Sequence, residues 1–195
     1  IDTEQGAMHP ALIFNLIKQI KHNRTHGRKG AHLFEVGRGY FAADTDVEAQ
    51  MPYIRQGRHC SPRAREENRP LEINLISGIL DQPFSAKTWN HGLQLTDFYH
   101  GKQIICNTLN KMGLKDYRFE RPQEESLFPF LHPGQSAVIY QNKRMLGYIG
   151  HLHPEVAANY DLDMQPSPVV FELFIDQLIE NFDGDLEINS EAKPF

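Results

Sequence analysis

Three groups of residues in this 195-residue chain could do chemistry, and each has a plainer reading beside it. His151 and His153 are two apart, so on a strand they point to the same side and could join a metal site. With ten histidines in the chain, chance adjacency or helix capping is the favoured reading, and no metal site is expected. Ser136 follows Gly134, but the Gly-x-Ser-x-Gly turn that raises a nucleophilic serine is missing and no His/Asp set accompanies it. His132-Pro133-Gly134 reads instead as the shaping of a turn. Neither a GxxxxGK[ST] loop nor a GxGxxG run is present to cradle phosphates. Arg55, Arg58, Arg63, Arg65 and Arg69 could meet RNA phosphates, but they alternate with Glu66 and Glu67, and a solvated mixed-charge loop is favoured.

Composition narrows the classes further. Twenty Lys and Arg against 25 Asp and Glu give a net charge of −5 with no long basic run, so no large electrostatic footprint for nucleic acid is visible. A content of 40% hydrophobic and 23% charged residues is that of an ordinary globular domain. No apolar run approaches the roughly 20 residues of a membrane span, and no secretory signal opens the chain. Cys60 and Cys106 are too few for a disulfide scaffold and lack zinc-ligand spacing, so reduced thiols in a cytoplasmic protein are expected.

The elements that must position these residues follow in order. From Pro10, apolar Leu12, Ile13, Leu16, Ile17 and Ile20 form one stripe of an amphipathic helix, ended by His22, Asn23 and Gly27. Residues 31–41 read as a strand with Glu35, Gly37, Gly39 and Phe41 on one face and Phe34, Val36, Arg38 and Tyr40 on the other. A long polar loop leads to an apolar strand over 71–80, which should pair with the first. A turn-rich connection holding Trp89 precedes a helix capped by Asp97 and stopped by Gly113, with Phe98, Ile104, Ile105 and Leu109 on its buried side. Tyr117–Phe119 is a short strand, and Gln135–Ile149 reads as a hairpin around Gln141-Asn142-Lys143. Pro154 opens a short helix; Val169–Ile175 is a last strand, with Asp176 placed to cap a helix behind it. Strands joined by hairpins without repeating βαβ units predict an α+β domain, a mainly antiparallel sheet flanked by helices and packed by them on one face. One domain over 1–195 is expected, with 1–8 and 180–195 frayed or linker.

The order of several of these pieces resembles a known family. LHPGQSA (131–137), GYIGHLHPEV (147–156), YDL (160–162) and VVFEL (169–173) are similar to the C-terminal core of bacterial phenylalanyl-tRNA synthetase beta subunits. The likeness extends back through LFEVGR (33–38) and TDFY (96–99), covering most of Pro10 to Leu178 in register. It implies a class II aminoacyl-tRNA synthetase-like fold, and one domain cut from a longer subunit. It further implies an alpha-subunit partner that holds ATP, magnesium and phenylalanine, an (αβ)2 assembly, and tRNA(Phe) as the substrate of that holoenzyme. Core packing is the favoured reading for any single residue of the first-helix stripe; in the same resemblance that helix, with Pro10, Leu12, Ile13, Leu16, Ile17 and Ile20, helps to build the subunit interface.

Activating an amino acid places charge on the ATP α-phosphate, so a reactive site needs fixed cations there. Class II synthetases supply two arginines, one in a Phe-Arg-x-Glu strand and one in a Gly-x-Gly-x-Glu-Arg run entering a helix. Aligned on those frames, the first arginine falls on Phe41 and the glutamate on Ala43. Arg38 is three residues from Phe41 and so faces the other way. In the second frame Glu172 and Phe174 stand at glycine positions and Gln177 at the arginine position. Side chains there block a nucleotide, and Glu172 repels its phosphates. The expectation is a degenerate catalytic domain with no catalytic residues and no cofactor of its own, serving structure and assembly. The rivals are a free-standing amino-acid-activating enzyme and a tRNA-binding module using the 55–69 loop.

Overall fold

The computed structural model describes residues 9–28, 30–41, 70–85, 87–122, 128–162 and 167–179. Ala43, the arginines at 55, 58, 63, 65 and 69, Cys60 and the two ends of the chain lie outside them.

Ten elements follow in order: α1 (Ile13–Thr25), β1 (His32–Phe41), β2 (Leu71–Leu80), α2 (Phe98–Lys111), β3 (Tyr117–Glu120), β4 (Leu131–Gln141), β5 (Arg144–Leu152), α3 (Pro154–Asn159), β6 (Val169–Phe174) and α4 (Ile175–Ile179). The strands form one six-stranded sheet in the order β1-β2-β6-β5-β4-β3. Every neighbouring pair is antiparallel. β1 and β2 pair along their whole length, Phe41 opposite Leu71 and His32 opposite Leu80.

Helices cover both faces of this sheet, which corrects the one-faced expectation. On one side α1 buries Leu12, Ile13, Leu16, Ile17 and Ile20 against Ile73, Leu75, Ile79, Val138, Tyr148, Val170 and Phe174. On the other, Ile105 and Leu109 of α2 and Leu178 of α4 pack on Leu80, Ile139, Ile149, Val169, Phe171 and Leu173. The reason lies in the central strands: every residue of β6 is buried, and all of β5 after Arg144. Strands buried on both sides must be covered on both.

Local signals mostly hold. Asp97 caps α2 by accepting from the His100 backbone N–H at 2.9 Å, and the His100 side chain answers to the Asp97 N–H. Ile105 and Leu109 are buried, while Phe98 and Ile104 are half-buried. Gly113 takes a φ of 76° just past the end of α2, the left-handed turn that glycine makes cheaply. Asp176 differs from its expected capping place. It lies in the first turn of α4, where its carboxylate accepts from Asn74 Nδ2 at 3.1 Å and so ties that helix to β2.

Candidate functional site

The sheet face under α1 is where the inward residues of β1, β2, β5 and β6 meet, and it is filled by the chain itself. Along β1 the predicted alternation holds. Phe34 and Val36 are exposed on the outer face, Arg38 pairs outward with Glu72 at 2.7 Å, and Phe41 is buried inward. Gly39 allows the segment before α1 to lie directly on the strand, since a Cβ there would sit 2.3 Å from the Pro10 carbonyl oxygen. A backbone hydrogen bond from Tyr40 N to His9 O, 3.0 Å, fixes that approach.

Glu172 is the centre of this face. In the antiparallel register it lies opposite Ser77 of β2 on one side and Tyr148 of β5 on the other. Its side chain rises toward α1, where Oε1 accepts from the backbone N–H of Leu12 at 2.8 Å and of Ile13 at 3.1 Å. The Tyr148 hydroxyl donates to Oε2. A carboxylate at the opening of a helix meets otherwise unpaired N–H groups and the positive end of the helix dipole. Burial nonetheless pushes the Glu172 carboxyl above its ordinary range, with the Tyr148, Leu12, Ile13 and Ser77 hydrogen bonds pulling it back. Burial and the facing carboxylate hold the Tyr148 phenol well above its usual value, so it stays a donor.

Aromatic rings occupy the rest. Phe128 lies 4.2 Å from Tyr148 between ring centroids, Phe130 5.7 Å and Phe174 6.3 Å, and Phe14 of α1 closes on Phe130 at 5.8 Å. Gln177, which the sequence frame set at the second arginine position, is buried in α4. Among the described residues, the charged side chains directed inward from β1, β2 and β6 are Glu35 and Glu172, with no Lys or Arg. That is the wrong sign for a triphosphate.

The other sequence candidates are placed as follows. Leu12, Ile13, Leu16, Ile17 and Ile20 are spent inside the chain's own core, so a partner would meet α1 through other residues; Pro10 is exposed. His151 and His153 are not brought together. His151 is buried with Nδ1 2.6 Å from the Ser167 carbonyl, whereas His153 lies beyond the end of β5 and caps α3, accepting from Glu155 N at 3.3 Å. Among the described residues no group of three or more His, Cys, Asp or Glu could hold a metal ion. Tyr148, Ser77, Phe128 and Phe130 went unmarked in the sequence reading. For Phe128, Phe130 and Tyr148 the signal was there in the density of aromatics between 128 and 148; Ser77 carried none.

Residues 1–175 match the model of the phenylalanyl tRNA synthetase beta chain CLM domain. The chain belongs to this family. It is 26% identical over 183 residues to the phenylalanine–tRNA ligase beta subunit of Syntrophus aciditrophicus, covering 94% of this chain and 20% of that one. The beta subunits of Staphylococcus epidermidis and Carboxydothermus hydrogenoformans are 29% and 28% identical, over 90% and 91% of this chain and 18% and 19% of theirs. The chain thus spans about a fifth of the length of these curated relatives. In structure it is similar to the pyrrolysyl-tRNA synthetase of Desulfitobacterium hafniense, with TM-scores of 0.56 and 0.58 in two structures at 13% and 12% identity. Those superpositions cover 96% of this chain and 54% and 53% of theirs. The antiparallel sheet with its helices is therefore a class II synthetase-like fold.

Proposed function

We propose that this chain is the non-catalytic, synthetase-like domain of a phenylalanine–tRNA ligase beta subunit. In this reading it holds the alpha subunit in an (αβ)2 assembly in the cytoplasm while the alpha subunit binds ATP and magnesium and attaches phenylalanine to tRNA(Phe). One observation supports the reading above the others. Glu172, which the sequence frame sets at a glycine position of class II synthetases, fills the inner face with a carboxylate bonded to the start of α1. A nucleotide on this face would have to displace α1 and then sit against a buried negative charge.

The test pairs two measurements on one preparation. Mixed with the alpha subunit, the chain is expected to co-elute with it in size exclusion, while alone it gives no ATP–pyrophosphate exchange above background. Exchange by the chain alone, or separate elution of the two proteins, would sink the reading. Charges placed at Leu12 or Leu16 are poor probes of the contact, because both residues are core and such variants unfold.

A further inference from the structure

On the opposite side of the sheet, where the start of α2 meets the first residues of β4, the structure holds a cavity of about 350 Å³. Among the described residues Asp97, Phe98, Tyr99, Gly134, Gln135, Ser136 and His151 line it, with no Lys or Arg. At the small end of the roughly 300–1,000 Å³ usual for ligand pockets, it suits a single side chain better than a cofactor.

Gln135 and Ser136 can donate as well as accept, while Asp97 and His151 supply acceptors. His151 is 96% buried by its 4% exposure, and the 2.6 Å contact of Nδ1 with the Ser167 carbonyl makes Nδ1 the donor. That tautomer leaves Nε2 of the same ring as a lone pair for the cavity, set by its neighbour's bond. The contacts of Asp97 with the His100 backbone N–H and ring both use Oδ1, which leaves Oδ2 for a further donor. Tyr99 stands at the mouth with 72% of its surface exposed, a ring offered for stacking. A carboxylate, an imidazole lone pair and an open aromatic face together select a planar cation with several N–H groups, since such a cation can donate in two directions while lying on the ring, the full charge of Asp97 outweighing the positive end of α2 that it caps.

We propose that this cavity receives an arginine side chain presented by a partner polypeptide, its guanidinium donating to Asp97 and His151 and lying against Tyr99. A lysine ammonium is a compact point charge and gains less from the ring and from two divergent acceptors. The site is on the other side of the sheet from Glu172 and does not depend on the reading of the filled face.

N-Acetyl-arginine amide titrated into the 195-residue chain and followed by backbone amide shifts tests it. Saturable shifts confined to residues around 97–99, 134–136 and 151 are expected, and the neutral isostere N-acetyl-citrulline amide should give none. Asp97→Asn keeps a good helix cap and should weaken binding by about tenfold, the loss of one charge-assisted hydrogen bond. Tyr99→Ala, at an exposed position that the fold does not need, should weaken it severalfold. No saturable shift, equal shifts from citrulline or from N-acetyl-lysine amide, or wild-type affinity in both variants would overturn the proposal.

Discussion

The two faces of the sheet are built from the same strands yet hold their helices by different physics. Ser77, Glu172 and Tyr148 look toward α1, while their neighbours Gly78, Phe171 and Ile149 look toward α2. Toward α2 the contacts are apolar and nondirectional: Ile105 and Leu109 pack in one cluster with Ile149, Val169 and Phe171, and Gly101 lets the helix close until a Cβ would lie 2.8 Å from the Ile149 side chain. Toward α1 a buried carboxylate bonds two backbone N–H groups and a phenol. Apolar burial fixes how much surface is hidden; the carboxylate fixes where the helix begins. The face toward α1 is thus the one that carries a buried carboxylate and its hydrogen bonds.

Breaking the polar side should cost most. Glu172→Ala orphans the N–H groups of Leu12 and Ile13 and the Tyr148 hydroxyl, each at roughly 1–3 kcal/mol, and about 4 kcal/mol of stability should be lost in urea unfolding. A loss under about 1 kcal/mol would show that apolar burial alone seats α1. Ile149→Ala, on the other face, leaves a cavity and should cost about 3 kcal/mol, the middle of the usual range, with no pH dependence of its own. The smallest and sharpest test is Tyr148→Phe, expected to cost about 1 kcal/mol near neutral pH.

The pH dependence of that last variant carries a sign. Glu172 binds its proton more tightly folded than unfolded, so its contribution is full below the ordinary glutamate range and is lost as pH rises through the folded value. Measured against Glu172→Gln, which removes the titration, the wild type should therefore gain stability on acidification from neutral. Tyr148→Phe removes a hydrogen bond that lowers the Glu172 value, so its gain should be larger and the gap to wild type should narrow. A gap that widens on acidification would show that the phenol does not stabilise the charged form.

Much of this was legible in the chain. The parity of Phe41 against Arg38 placed one inward and the other outward, and Asp97 and Gly113 marked the ends of α2, because strand alternation and helix capping are local. The fate of the α1 stripe was not legible. Periodicity reports that Leu12, Leu16 and Ile20 are buried and is silent on whether a sheet or a second subunit buries them. The covering of both faces could have been read from the unbroken apolar run Val169-Val170-Phe171, a signal of a strand sandwiched between layers. The partners of Glu172 could not: Leu12 is 160 residues away, and no local pattern reports such a contact.

The strand order has a consequence for how the chain comes together. β6 lies between β2 and β5 yet is the last strand to be made, so until residue 174 has emerged the sheet exists as two separate pieces, β1-β2 and β3-β4-β5. The strand edges that β6 will cover stay open until it emerges, and the same late strand brings the glutamate that seats α1. Ribosome-stalled chains ending before residue 169 should accordingly be far more sensitive to protease than chains a few dozen residues longer.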